Sequence, residues 1–137
     1  MSAPLHGGCY CGAVRYRVTT EPMKFGECHC RECQYITGGG ANYFLLVDAA
    51  GFEITQGTPK SFTRSDLDNP VTRQFCAECG THLLTRPAAP RKDIVLKVGS
   101  LDNPTDAGKV EFAIFCAEAP PFHQLAEDAP HFDKRPS

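Results

Sequence analysis

Seven of the chain's eight cysteines fall in three tight groups: Cys9 and Cys11, then Cys28, Cys30 and Cys33, then Cys76 and Cys79. Such groups become either disulfides or metal ligands. The segment Met1 to Gly8 has neither a basic start nor an apolar stretch, so no secretory leader is visible. That predicts a cytoplasmic protein, where thiols stay reduced. A bridge inside Cys9-Tyr10-Cys11 would also be strained. The groups therefore read as metal ligands, and thiolate sulfur points to zinc.

The ligand count divides them unequally. Cys9-Tyr10-Cys11-Gly12 and Cys76-Ala77-Glu78-Cys79-Gly80 are both short turns with glycine after the last thiol. Glycine permits the positive φ that lets backbone N–H groups point at sulfur. Neither pair fills a tetrahedral site, but together they supply four sulfurs, the number a closed structural zinc needs. Such a site staples the start of the chain to its middle, and its stability comes largely from the metal. Cys28, Cys30 and Cys33 remain. Three protein ligands with a free fourth position is the usual arrangement of catalytic zinc. Spacing alone leaves two alternatives open. The trio could be closed by Cys116, His29, His82 or His123, or the cysteines could pair differently between the sites.

A chain of 137 residues fits a single domain, 1–137, with a core over roughly 7–116 and a surface tail over 117–137. Aromatic residues make up 9% and Trp is absent, while glycines number 12 and prolines 11. That composition suits a loop-rich, mostly β domain better than a helical bundle. The net charge of −2, without a block of like charge, argues against nucleic acid as a partner. No apolar run approaches the ~20 residues of a membrane span.

Period-2 patterns and turn residues predict short strands at 13–18, 25–28, 42–47, 52–56, 60–64, 71–75, 81–85, 94–98 and 109–115. The run at 42–47 is apolar enough for burial on both faces. Residues 31–37 read as one or two helical turns ended by Gly38-Gly39-Gly40. Residues 1–8 read as a loosely held lead-in, 65–70 and 86–91 as loops. Strands in this number, with one short helix, argue for an all-β layer architecture.

Other side chains carry weaker expectations. Cys116 lies between Phe115 and Ala117 and reads as a small buried hydrophobe. His29, flanked by two ligands, should point away from the metal, to the surface or to a supporting hydrogen bond. His82 reads as an ordinary strand position. His6, His123 and His131 fall in weakly structured segments. Arg31, Arg73 and Lys60 are candidates for carboxylate groups of a substrate.

Four stretches together carry a resemblance: Gly8-Cys9-Tyr10-Cys11-Gly12-Ala13-Val14; Cys28-His29-Cys30-Arg31-Glu32-Cys33 with Gly38 after it; Arg73 to Thr81; and Val98-Gly99-Ser100-Leu101-Asp102. In this order they resemble the glutathione-dependent formaldehyde-activating enzyme family, which also includes centromere protein V. The resemblance covers about residues 7–105. It implies a β-tent fold of several small antiparallel sheets stapled by zinc. It implies one structural zinc on Cys9, Cys11, Cys76 and Cys79 and a second, open and more labile zinc on Cys28, Cys30 and Cys33, the catalytic site. It implies a carbon–sulfur lyase that joins glutathione, or a similar thiol, to formaldehyde or a related small aldehyde. Cys116 has no place in the family pattern.

The competing class is a non-catalytic, zinc-stapled scaffold for a protein partner. A zinc ribbon for nucleic acid is disfavoured by charge. A disulfide oxidoreductase would use Cys76 and Cys79, but lacks the βαβ setting.

Overall fold

The structure is a computed structural model and describes residues 4–88 and 91–136. Residues 1–3, 89–90 and 137 lie outside it, and with them parts of the expected lead-in, of the 86–91 loop and of the tail. Among the described residues the strands are β1 (Leu5–Gly8), β2 (Arg15–Val18), β3 (Lys24–Cys28), β4 (Asn42–Asp48), β5 (Phe52–Gln56), β6 (Lys60–Thr63), β7 (Thr72–Phe75), β8 (His82–Arg86), β9 (Asp93–Lys97) and β10 (Phe112–Ile114). The helix α1 spans Arg31–Thr37, between β3 and β4. The expected all-β layering with one short helix is what forms.

The strands make two sheets. One has three strands in the order β1-β2-β5, and the other has seven in the order β10-β3-β4-β9-β8-β7-β6. Every pairing is antiparallel except β10 against β3. Two expectations need correction. Leu5–Gly8 is no loose lead-in but a strand paired with β2, from Leu5 opposite Val18 to Gly8 opposite Arg15. The predicted strand at 109–115 shortens to Phe112–Ile114: the chain bends at Lys109, and the Glu111 side chain, rather than a further ladder bond, accepts the Phe25 N–H at 2.8 Å.

The larger sheet has a different layer on each face, and strand alternation explains how. On β4, Leu45 and Val47 point to one side and Phe44 and Leu46 to the other. Leu45 and Val47 join Val18, Leu83, Leu84, Ile94 and Leu96 in the main core, all of them fully buried or nearly so. Cys9 and Cys76 belong to that same core. Phe44 instead packs with Cys28 and Cys33, and Leu46, Val95, Phe112, Ile114 and Phe115 close around them. The sheet thus separates the two cysteine groupings.

Gly26 makes the second layer possible. It pairs with Phe44 on one side and Phe112 on the other. A Cβ there would lie 2.6 Å from Phe112 and 2.8 Å from Phe44. Without one, the two rings meet edge to face across β3 with centroids 5.8 Å apart, a favourable arrangement.

Residues 117–136 run back along the β10 side. The N–H of Phe132 donates to Ala113 O at 2.9 Å, and the N–H of Cys116 donates to Phe132 O at 3.0 Å. The Leu45 side chain is wholly buried in the main core. Leu45→Ala should cost about 2–5 kcal/mol in chemical denaturation. Phe62→Ala, at a side chain more than half exposed, should cost under about 1 kcal/mol by the same measurement.

Candidate metal centres and the groove beside them

Cys9 and Cys11 lie in the turn after β1, and Cys76 and Cys79 in the turn between β7 and β8. The turns are built alike. The N–H of Gly12 donates to Cys9 O at 3.1 Å, and that of Gly80 to Cys76 O at 2.9 Å. Both glycines have positive φ, +82° and +77°, where a side chain would be strained. The four sulfurs all lie within 4.8 Å of one another. Cys9 to Cys11 is 3.6 Å and Cys11 to Cys76 is 3.7 Å. Those distances are too long for disulfides, and all four thiols are free. A tetrahedral zinc with Zn–S bonds of about 2.3 Å has S···S edges of about 3.8 Å, so this donor set fits zinc.

Nearby donors favour thiolates. The N–H of Val14 donates to Cys9 Sγ at 3.2 Å, and those of Glu78 and Cys79 to Cys76 Sγ at 3.3 and 3.5 Å. Thr81 Oγ1 accepts the Tyr10 N–H at 3.0 Å, which leaves its own hydrogen for Cys79 Sγ at 3.2 Å. The hydroxyl and then the backbone N–H of Thr81 pull the Cys79 thiol down to about 5. Because Tyr10 follows β1 and Thr81 precedes β8, this bond and the sulfurs tie the two sheets together.

The other three thiols meet where β3 runs into α1. Cys28 ends β3, Cys30 is the N-cap of α1, and Cys33 lies in its first turn. Cys30 Sγ accepts the Cys33 N–H at 3.3 Å, as an N-cap side chain does. The three sulfurs lie within 4.8 Å of one another, and among the described residues no fourth Cys, His, Asp or Glu donor joins them. The thiols of Cys28 and Cys33 hydrogen-bond Cys30 and drive it down to about 2. Cys28 is pushed up in turn by Cys30 and Cys33 and by burial. This donor set also fits zinc, with three ligands.

His29 faces away from the trio, but not to the surface. It is fully buried, with Nε2 at 2.6 Å from Glu27 Oε2 and Nδ1 at 2.8 Å from His123 Nδ1. His123 Nε2 donates to Gly39 O at 2.6 Å, and the N–H of Ala126 donates to Glu27 Oε1 at 3.0 Å. Three bonds join one carboxylate, two imidazoles and a carbonyl. The network therefore pairs these buried polar groups with one another, which is what full burial of such groups requires. His123, expected in a weakly structured segment, anchors the C-terminal segment here. Glu118 adds a second tie by accepting the Arg31 N–H at 2.8 Å.

The cationic candidates separate. Arg73 donates to Glu32 Oε1 at 3.0 Å and to Thr85 Oγ1 at 3.4 Å, so α1 already engages it. Arg31 bonds Gln34 and lies 4.8 Å over the Tyr35 ring. Lys60 is exposed on edge strand β6. Cys116 belongs to neither cysteine group. The cation closest in influence to the trio is one the sequence reading left aside, Lys97. Its register places it opposite Phe44, and so on the trio's face of the sheet. Burial pushes its ammonium down to about 8, while the thiols of Cys33, Cys28 and Cys30 hold it up. A groove of about 220 Å³ opens beside it, lined also by Thr37, Asn42, Tyr43 and His82. His82 is a strand position, as expected, the first residue of β8, and it also faces this groove.

A mostly β domain with one four-thiol and one three-thiol cluster, each fit for zinc, is the class that fold and site define. The family model described as glutathione-dependent formaldehyde-activating enzyme matches residues 4–118. The chain belongs to that family, and its fold is the β-tent type expected. A curated protein of Halomonas elongata, provisionally named a glutathione-dependent formaldehyde-activating enzyme, is 34% identical over 84 residues. The match spans 58% of this chain and 54% of that protein, so the chain spans about half the length of this curated relative. A crystal structure of a Rhodobacter sphaeroides protein shares the fold with a TM-score of 0.61 at 20% identity, over 77% of this chain and 97% of that one. No helix among the described residues is long and apolar enough to cross a membrane.

Removing one partner of the buried Glu27–His29 pair leaves the other uncompensated. His29→Ala should cost about 3–5 kcal/mol in denaturant unfolding. It should also speed hydrogen exchange at the Ala126 N–H, whose acceptor is Glu27. Unchanged exchange at Ala126 would mean that the network does not hold the C-terminal segment.

Proposed function

We propose that the chain is a zinc-dependent carbon–sulfur lyase that acts in both directions on the adduct of a glutathione-type thiol and formaldehyde or a related small aldehyde. In the forward direction a carbon–sulfur bond forms, the carbonyl π bond breaks, and the thiol proton ends on the new hydroxyl. The family supports this reading, and one observation carries it: three thiols meet with no fourth donor among the described residues. Cys9, Cys11, Cys76 and Cys79 would hold a structural zinc, and Cys28, Cys30 and Cys33 a second. A zinc on three thiolates supplies a free coordination position at which a substrate sulfur is stabilised as thiolate.

The chain's own residues shape that position. Cys30 and Cys33 are set on α1 and Cys28 on β3, so helix and sheet fix the triangle of sulfurs. Phe44, Phe112, Ile114 and Phe115 wall it with apolar surface, which excludes water and strengthens charge interactions. Lys97 offsets the negative charge of three thiolates. A reducing compartment, the cytoplasm, suits a chain whose eight cysteines are all free.

The test is the rate of exchange between formaldehyde, glutathione and their adduct, followed by NMR. The protein should accelerate it. Cys30→Ser should lose about a hundredfold of that acceleration and keep its melting temperature within a few degrees. Cys76→Ser should yield little folded protein, since it opens the site that joins the sheets. Equal behaviour of the two variants would contradict the division of roles. No acceleration by the metal-loaded protein would favour the scaffold reading.

A further inference from the structure

The groove beside the trio gathers polar groups that the fold leaves without partners. Asn42 is 5% exposed and Lys97 is 7% exposed. Both line the groove, and among the described residues neither side chain has a hydrogen bond or a carboxylate partner. His82, on the same wall, has its Nδ1 fully buried and likewise without a partner. Among the described residues His82 Nδ1 is the buried side-chain polar atom without a partner, an exception that calls for an explanation, and the unbonded polar ends of Asn42 and Lys97 open into the groove beside it. Among the described residues no acidic side chain lines the groove. Its remaining walls are Ile36, Thr37, Ala41, Tyr43 and Gly99, and the Thr37 hydroxyl already donates to Gly40 O.

We propose that this groove is a carboxylate subsite, in which Lys97 and Asn42 take the carboxylate of a small thiol whose sulfur reaches the Cys28/Cys30/Cys33 cluster. The donor count favours an oxygen anion. An ammonium has three N–H donors and an amide two, whereas a carboxylate offers about four lone-pair sites. Sulfur charge at the trio attracts Lys97 but leaves those donors unused. Placement agrees. Lys97 stands opposite Phe44, and Asn42 stands opposite Cys28 on the neighbouring strand. One face of the sheet therefore carries both the thiol cluster and the two groove residues. The substrate class narrows accordingly, to thiols that carry a carboxylate. For the reacting end of the ligand the assignment rests on the function proposed above.

The experiment separates the two. The full chain, purified with its metal, is titrated calorimetrically with S-methylglutathione, which has carboxylates but no free thiol. The same titration uses its dimethyl ester, in which the carboxylates are masked. The free acid should bind the unmodified protein about tenfold or more tightly than the ester, as a charge-assisted contact does. Lys97→Met should lower acid affinity to that of the ester, Lys97→Arg should keep most of the preference, and Asn42→Ala should lose about threefold. Failure of the acid to bind, equal binding of acid and ester, or a Lys97→Met variant that keeps the preference would each overturn the subsite. A Lys97→Met variant that loses metal but keeps the preference would assign Lys97 to countering thiolate charge alone, and would overturn it too. Should Lys97→Met fail to fold, the acid-to-ester ratio and Asn42→Ala decide. A protein that prefers the acid yet does not accelerate thiol–formaldehyde exchange would keep the subsite and refute the reaction.

Discussion

The four sulfurs of Cys9, Cys11, Cys76 and Cys79 are the contact on which the rest of the molecule depends. They join the turn after β1, in the three-stranded sheet, to the β7–β8 turn of the seven-stranded sheet. A domain of this size buries a modest core, so a cross-link between sheets has large leverage. Cys9 and Cys76 are part of that core, which makes the tie and the hydrophobic packing one unit. The Tyr10–Thr81–Cys79 hydrogen bonds bring the two turns together even before any ion is considered.

With the sheets held, the far face of the larger one is free to carry the second cluster. Its layer is thin and differently made, with aromatic rings packed around sulfur on one side and polar groups around a groove on the other. The C-terminal segment braces it through Glu118, His123 and Ala126, which reach Arg31, His29 and Glu27. These ties run from a segment about 90 residues later in the chain to the loop that carries the three thiols. The triangle of thiols is thus fixed from the sheet, the helix and the tail together. Rigid support of this kind is what a binding or reacting centre requires.

Much of this was legible in the residues because it is local. Ligand spacing marks the cysteine turns, and three glycines after Thr37 mark the end of α1. Alternation locates β2, and a continuous apolar run locates most of β4. What escaped was set by distant partners. Leu5–Gly8 has no strand-forming composition and becomes β1 because β2 pairs with it and Tyr16 packs where Gly7 has no side chain. The sequence leaves His29 between the surface and a supporting hydrogen bond, because it does not show that Glu27 and His123 converge on it. Lys97 lies in the predicted strand at 94–98, where nothing in the residues marks it for a site. Its strand is covered on both faces, so the Lys97 side is the floor of the second cluster.

The central claim is that the two thiol clusters differ in kind, one closed and one open. Cobalt substitution tests it most directly, because the visible spectrum of tetrahedral thiolate-bound Co²⁺ reports each site. The account predicts two Co²⁺ per chain, and a glutathione titration that shifts the bands of one site and leaves the other's unchanged. One ion per chain, or two sites that both ignore the thiol, would contradict it.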